Sequence, residues 1–166
     1  MIISLIAAVA KNNVIGKNNE LVWCLPNDMR FFKNTTWALP VIMGRKTYEA
    51  LNSKALQGRL NIVITANKNW KAADAETVHS LEEAIALAEK EQYKEAMVIG
   101  GGQLYSQAIH IADRLYITRV DAEPEGDAYF PAIDTVQWQL KSSAPHPQDV
   151  RHAYAYDFQI WERNKN

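Results

Sequence analysis

The sequence predicts an α/β domain: a mostly parallel sheet with an antiparallel edge and helices on both faces. Three observations predict it. Short, nearly continuous apolar runs alternate with segments of helical periodicity, the order expected when strands are joined by crossover helices. Two of these runs, VIMG and MVIGGG, end in glycine and lead straight into helical sequence, as parallel strands do at their carboxyl ends. The tail then changes character and alternates residue by residue, as a half-exposed antiparallel pair does.

The elements follow in order. IISLIAAVA (2–10) is apolar throughout and suits a central strand covered on both faces. KNNVIGKNNELVW carries Asn and Gly clusters and reads as loop. Pro26 suits the first turn of a helix that runs to about Thr35. VIMG (41–44) is a buried strand, RKTYEALN a short helix, NIVIT (61–65) a strand and ANKNWKAADA a loop. SLEEAIALAEKE (80–91) is the clearest helix. Ser80 and Glu83 form a capping box, and Leu81, Ala84, Ile85 and Ala88 share one face. AMVIGGG (96–102) is a strand ending in a glycine turn, QLYSQAIH a helix and RLYITRVD (114–121) a strand. WQLKSSA and AYAYDFQIWER form the edge pair.

Composition narrows the function classes. The chain has 166 residues, enough for one domain with a sizeable core. Its formal net charge of −1 shows no basic bias towards nucleic acid. No apolar run reaches the ~20 residues of a membrane span, and the N-terminus reads as a buried strand rather than a signal peptide. The single cysteine, Cys24, allows no intrachain disulfide, which suits a reducing, cytoplasmic setting. His79, His110, His146 and His152 show no metal-ligand spacing. The acidic run DAEPEGD has Ala132 where a calcium loop needs its closing glutamate, so no metal is expected.

Two features suggest chemistry. The glycine turns at Gly44 and Gly100–Gly102 let backbone approach a phosphate closely, next to N–H groups at helix starts. Arg45 and Lys46 at the first of these helices point to an extra 2′-phosphate, NADP rather than NAD. Glycine turns alone, and solvated cations alone, have plain structural readings too. The second feature is Asp28 in WCLPNDMRFF. It reads either as a helix-start acid serving free N–H groups, or as a lone carboxylate at the rim of an apolar pocket shared with Phe31 or Phe32.

The ordered set of motifs settles between these readings. SLIAAVAKNNVIG, LVWCLPNDMRFFK, PVIMGRKTYEAL, GRLNIVIT, MVIGGGQLY, RLYITRVDAEPEGDAYFP and YDFQIWER cover nearly the whole chain. In this order and spacing they resemble dihydrofolate reductase of the bacterial chromosomal type. The resemblance implies one three-layer domain over residues 1–166. Its centre is an eight-stranded, mostly parallel sheet with an antiparallel C-terminal edge strand. An adenosine-binding subdomain spans roughly 39–93.

The resemblance also implies reduction of 7,8-dihydrofolate to tetrahydrofolate by NADPH, with hydride to C6 and a proton to N5, in support of one-carbon metabolism. Asp28 matches the pocket acid, Thr118 the threonine that bonds it, Trp23 the indole near a fixed water, and Leu21 a lid position that is methionine in some members. Ile6, Ala7, Leu25, Met29, Phe32, Leu51 and Ile99 match pocket walls. Arg59 matches the partner of the glutamate-tail carboxylate, with Lys33 and Ser53 as looser tail contacts. On the cofactor side, Ala8, Ile15 and Gly16 match the nicotinamide end, and the loop KNNVIGKNNELVW (11–23) matches the mobile lid, with Lys17, Asn18, Asn19 and Glu20 as its cofactor contacts. Gly44, Arg45, Lys46 and Thr47 match the first phosphate turn, and Thr65 and Ala66 the 2′-phosphate and adenine region. Gly100, Gly101, Gly102, Gln103, Leu104 and Tyr105 match the second turn, with a cis bond expected between Gly100 and Gly101. Asp127 matches the residue that holds the lid closed. Antifolates are expected as ligands and a monomer as the working state.

The chain departs from the pattern at Val22 (commonly proline), Cys24 (often His or Asn), Gln103 (Arg in some members) and the segment NSKALQ, which lacks the usual Gly and Pro. Two other readings are a pterin- or pyrimidine-reducing relative, which would not need the Asp28–Thr118 pair, and a nucleotide-binding module that leaves Asp28 idle.

Overall fold

Alternate residues of the apolar runs face opposite layers, and this builds the molecule. The computed structural model describes residues 1–165. It contains strands β1 (Ile2–Ala10), β2 (Val14–Gly16), β3 (Val41–Gly44), β4 (Asn61–Ile64), β5 (Glu76–Val78), β6 (Glu95–Gly100), β7 (Arg114–Val120), β8 (Ala128–Tyr129), β9 (Trp138–His146) and β10 (Tyr156–Arg163). The helices are α1 (Pro26–Thr36), α2 (Arg45–Ala50), α3 (Leu81–Lys90) and α4 (Gly102–Ala108).

The main sheet has eight strands in the order β5-β4-β3-β6-β1-β7-β10-β9. Every pair from β5 through β7 is parallel, while β10 runs antiparallel to both β7 and β9. The tail therefore supplies the predicted antiparallel edge pair, with β9 outermost. On one face, Ile6, Val41, Met43, Val63 and Met97 pack with Tyr48 of α2 and Phe31 and Phe32 of α1. On the other, Leu5, Ile42, Ile62, Val98 and Ile117 pack with Leu81, Ala84 and Ala88 of α3 and Leu104 and Ala108 of α4. Each fully buried aliphatic side chain contributes about 1.5–3 kcal/mol. Both faces need their helices.

Three short strands lie where the sequence marks none, β2 within the expected loop and β5 and β8 in segments it assigns to no element. β5 extends the edge beside β4, and β2 pairs antiparallel with β8 in a separate two-stranded sheet. Each has only two or three residues, too few to show a period, and each exists because a preformed edge lies beside it. The capping box at Ser80 also forms with a shift. Ser80 Oγ accepts from Glu83 N at 3.1 Å, but Glu83 Oε2 accepts from His79 N, at 2.8 Å, rather than from Ser80.

Candidate active site

Asp28 is the third residue of α1, in its first turn. Its carboxylate bonds across to the sheet: Thr118 Oγ1 of β7 donates to Asp28 Oδ1 at 2.6 Å. Thr118 is buried and lies in register with Ala8 of β1 on one side and Phe158 of β10 on the other. Phe31, one turn beyond Asp28, stacks on Phe158 with ring centroids 4.5 Å apart. The side chain is thus a half-buried carboxylate on an apolar face. Burial pushes its pKa above the ordinary 3.8, and the Thr118 hydroxyl, which favours the ionised form, only partly offsets that.

The pocket-wall residues divide by layer. Ile6, Phe32, Leu51 and Ile99 share the cluster that contains Phe31. Ala7 and Ile15 pack against the α3 and α4 layer instead, and Ala8, Trp23 and Leu25 form a third cluster with Phe158 and Tyr156. Met29 and Leu21 are 59% and 66% exposed. Trp23 Nε1 is buried with no acceptor from the protein, so its donor is free for a bound molecule or water.

Arg59 is held by several contacts at once. Its Nε donates to Gln57 O at 2.9 Å and its Nη1 to Thr36 Oγ1 at 3.2 Å, and the guanidinium sits 5.3 Å from the Trp37 ring centroid. Lys33 approaches the same ring at 5.9 Å. Gly58 has φ +75°, and a Cβ there would meet Trp37 Cη2 at 2.4 Å, so only glycine lets the loop close on Trp37. Ser53 is exposed, and it and Asn52 adopt left-handed backbone, which supplies the turn that Gly and Pro would otherwise make.

The two glycine turns meet. A Cβ on Gly44 would lie 4.0 Å from Gly100 O, and one on Gly100 would lie 3.2 Å from Thr47 Oγ1. The Gly100–Gly101 peptide is cis. Gly102 opens α4, Gln103 is exposed, and the Leu104 side chain is buried in the core, leaving only its backbone to the turn. Tyr105 is also buried, and its hydroxyl donates to Ile6 O at 2.7 Å, joining the turn to β1. Burial, with the nearby Asp28 charge, raises the phenol's pKa far above its usual range.

Arg45 lies beside Glu49 (Nε to Oε2 3.5 Å) and over the Trp70 ring at 4.9 Å. Its unfavourable place at a helix start is thus partly compensated from within the helix. Lys46 and Ala66 are exposed and Thr47 is half-buried. Thr65 is buried, and its Oγ1 accepts from Asn67 N at 3.1 Å.

With this geometry in place, comparison with known proteins decides the relationship. The dihydrofolate reductase family model matches residues 2–163. The chain belongs to the dihydrofolate reductase family. It is 46% identical over 165 residues to dihydrofolate reductase type 3 of Salmonella typhimurium, covering 99% of this chain and 100% of that one. Against dihydrofolate reductase of Bacillus subtilis it is 39% identical over 164 residues, covering 99% and 96%. A solved structure of dihydrofolate reductase from Enterococcus faecalis, complexed with NADP(H) and RAB-propyl, superposes with a TM-score of 0.91 at 34% identity, covering 99% of this chain and 97% of that one.

In this member of the dihydrofolate reductase family the loop after β2 is tied down. Lys17 and Glu20 exchange backbone hydrogen bonds of 2.9 and 3.0 Å, with Asn18 and Asn19 in left-handed conformation between them. Asn18 N donates to Asp127 Oδ2 at 3.1 Å, and Asn19 Nδ2 donates to Lys46 O at 3.0 Å. Gly16 lies in β2 and its carbonyl accepts from Asp127 N at 3.1 Å. Cys24 is an exposed free thiol and Val22 is half-buried. Nothing in the contacts explains either residue.

Among the described residues, no group of three or more His, Cys, Asp or Glu is placed to hold a metal ion, and no helix is long and apolar enough to cross a membrane. A groove of about 730 Å³ lined by Met1, Tyr93, Lys94, Asp113 and Arg114 contains none of the expected site residues. Sequence reasoning missed Phe158 and Tyr156 of β10, His152 before it, and Trp37 beneath Arg59. Their partners are far away in the chain, and no local pattern marks them.

Proposed function

We infer that this chain reduces 7,8-dihydrofolate to 5,6,7,8-tetrahydrofolate with NADPH. The observation that carries this reading is the half-buried Asp28 carboxylate on an aromatic face, bonded by Thr118 at 2.6 Å. A carboxylate so placed accepts two parallel hydrogen bonds from the planar amino and ring-nitrogen edge of a pterin. Burial raises its pKa, which makes it a better proton donor than an exposed carboxylate, and N5 requires a proton. The carboxylate reaches the far end of the ring from N5, so the proton travels through water, and the free Trp23 N–H is the donor available to orient that water.

Ile6, Phe31, Phe32, Leu51 and Ile99 exclude water from the ring, with Leu25 and Met29 at the margin, while Ala7, whose side chain packs into the other layer, borders it through backbone. Arg59, preset by Trp37 and Thr36, pairs with the α-carboxylate of the glutamate tail, and Lys33 and Ser53 lie along it. NADPH, when bound, supplies the hydride delivered to C6. The residues fit that cofactor. The abutting turns at Gly44 and Gly100–Gly102, where a Cβ on Gly100 would crowd Thr47, leave a cradle bordered by backbone and the Thr47 hydroxyl. Ala8, Ile15 and Gly16 border the nicotinamide end. Arg45, Lys46 and Thr65, with Ala66, hold the 2′-phosphate and adenine end, a task in which Gln103 carries no charge. Residues 17–20, with Leu21 beyond them, act as the lid, and Asp127 holds it down.

The chain works as a single-domain monomer over residues 1–166, with residues 39–93 as the adenosine-binding subdomain, in the cytoplasm. Antifolates that present an amidine-like edge bind in place of the pterin. The deciding experiment mixes protein, NADPH and dihydrofolate and follows NADPH absorbance. The expected result is a dihydrofolate-dependent loss of NADPH, and its absence refutes the reading.

A further inference from the structure

Helix α1 lacks a side-chain cap of its own. Leu25 stands at the N-cap position and offers no acceptor, so the N–H groups of the first turn need a partner from elsewhere. One comes from 125 residues away: Asn27 N donates to His152 Nε2 at 3.2 Å. His152 is only 2% exposed, and a polar ring so deeply buried is costly unless both nitrogens are bonded. Its Nδ1 lies 2.8 Å from Asp149 Oδ1. Because Nε2 must accept from Asn27, the ring proton sits on Nδ1 and is donated to Asp149, whose carboxylate selects this tautomer.

The turn that carries the pair is itself closed. Asp149 N donates to His152 O at 3.0 Å, His152 N to Asp149 O at 3.1 Å, and Arg151 N to Asp149 Oδ1 at 2.8 Å. The same helical residue is gripped a second time, since Asn27 Nδ2 donates to Tyr156 Oη at 2.7 Å. Tyr156 lies two residues before Phe158, which pairs with Thr118 in register and stacks on Phe31. The first turn of α1 is therefore seated on β7, β10 and the 149–152 turn through Asn27, Asp28 and Phe31. Asp28 is the residue immediately after the capped amide.

We propose that His152, oriented by Asp149, is a positioning residue for Asp28: it caps α1 from outside the helix and so sets the carboxylate's place against Thr118 and the substrate. The proposal rests on the role given to Asp28 above. A cap that frays lets the first turn move, and a displaced carboxylate loses both its Thr118 bond and its alignment with the ring.

The experiment compares His152→Leu, which removes the acceptor, with His152→Gln, whose amide oxygen can occupy the place of Nε2. It reads kcat and KM for dihydrofolate, KM for NADPH, the pH profile of turnover, and hydrogen exchange of the Asn27 amide in the ligand-free protein. For His152→Leu, kcat/KM for dihydrofolate should fall roughly tenfold or more while KM for NADPH stays within about twofold. The pH profile should shift and Asn27 should lose protection. His152→Gln should recover most of both. Unchanged kinetics and pH profile in His152→Leu overturn the proposal, as does an equal loss towards both ligands that Gln does not rescue. Should His152→Leu fail to fold, Asp149→Ala carries the test, because that side chain is half exposed. A displaced pH profile supports the proposal and a parental one overturns it. If the parent protein does not turn over dihydrofolate, the functional reading fails, and the Asn27 exchange still decides whether His152 caps the helix.

Discussion

Replacing Thr118 by Val tests how the site sets its carboxylate. The two side chains have nearly the same shape, and position 118 is buried, so the change removes a hydroxyl and little else. What is lost is one short bond, Oγ1 to Asp28 Oδ1 at 2.6 Å. A hydrogen bond to a charged group contributes about 1.5–3 kcal/mol. The Thr118 bond favours the ionised carboxylate and works against burial, which favours the acid. Without it the balance moves further towards the acid. The assay is the pH dependence of dihydrofolate-dependent NADPH oxidation, paired with a carbon-13 titration of the Asp28 carboxyl in the ligand-free protein. Both midpoints should move to higher pH, and NADPH binding should stay near parental. Midpoints that stay put, in a folded Thr118→Val protein, would show that the bond does not control Asp28 and would refute the argument.

Other predictions follow from neighbouring contacts. Asp28→Asn should leave NADPH binding nearly intact while turnover falls by about a hundredfold or more, seen in steady-state kinetics and cofactor titration. The same variant should be more stable than the parent at neutral pH. A carboxyl raised in the fold costs stability as pH climbs from its unfolded value of 3.8 through its folded value, and Asn has no such cost. Urea midpoints compared from about pH 4 to pH 7 should show the Asn advantage growing. Gly126→Ala places a Cβ 2.3 Å from Val14 Cγ1 and 2.6 Å from Gly16 O. It should push β2 off β8 at a cost of about 1–3 kcal/mol, lowering the melting temperature and weakening NADPH binding together. Arg45→Ala should weaken NADPH more than NADH in binding titrations, since its contacts with Glu49 and Trp70 are the same with either cofactor. Equal loss would reject the 2′-phosphate assignment.

The layers were legible from local pattern because layer assignment is a local property. A strand of period two buries one set of side chains under each helix layer, and the runs VIMG, NIVIT and MVIGGG show their strand character without reference to any neighbour. The start of α1 at Pro26 and the Ser80 cap were legible for the same reason. What could not be read were strands of two or three residues, such as Glu76–Val78 and Ala128–Tyr129, which form only against an edge made elsewhere.

The site divides along the same line. Sequence alone determined which residue types are present in which turns: a lone acid among aromatics, two glycine turns, two cations at a helix start. It left Asp28 between a helix cap and a pocket acid, since both place a carboxylate in a first turn. Tertiary structure shows where that carboxylate is bonded: α1 has no side-chain cap, and Thr118, ninety residues away, donates to Asp28 at 2.6 Å. It also showed that a distant histidine, rather than the helix's own N-cap residue, supplies an acceptor for the N–H next to Asp28. The physical reason is that a backbone conformation follows from nearest neighbours, whereas the burial of a charge and its hydrogen-bond partners depend on which distant strands the packed core brings alongside it.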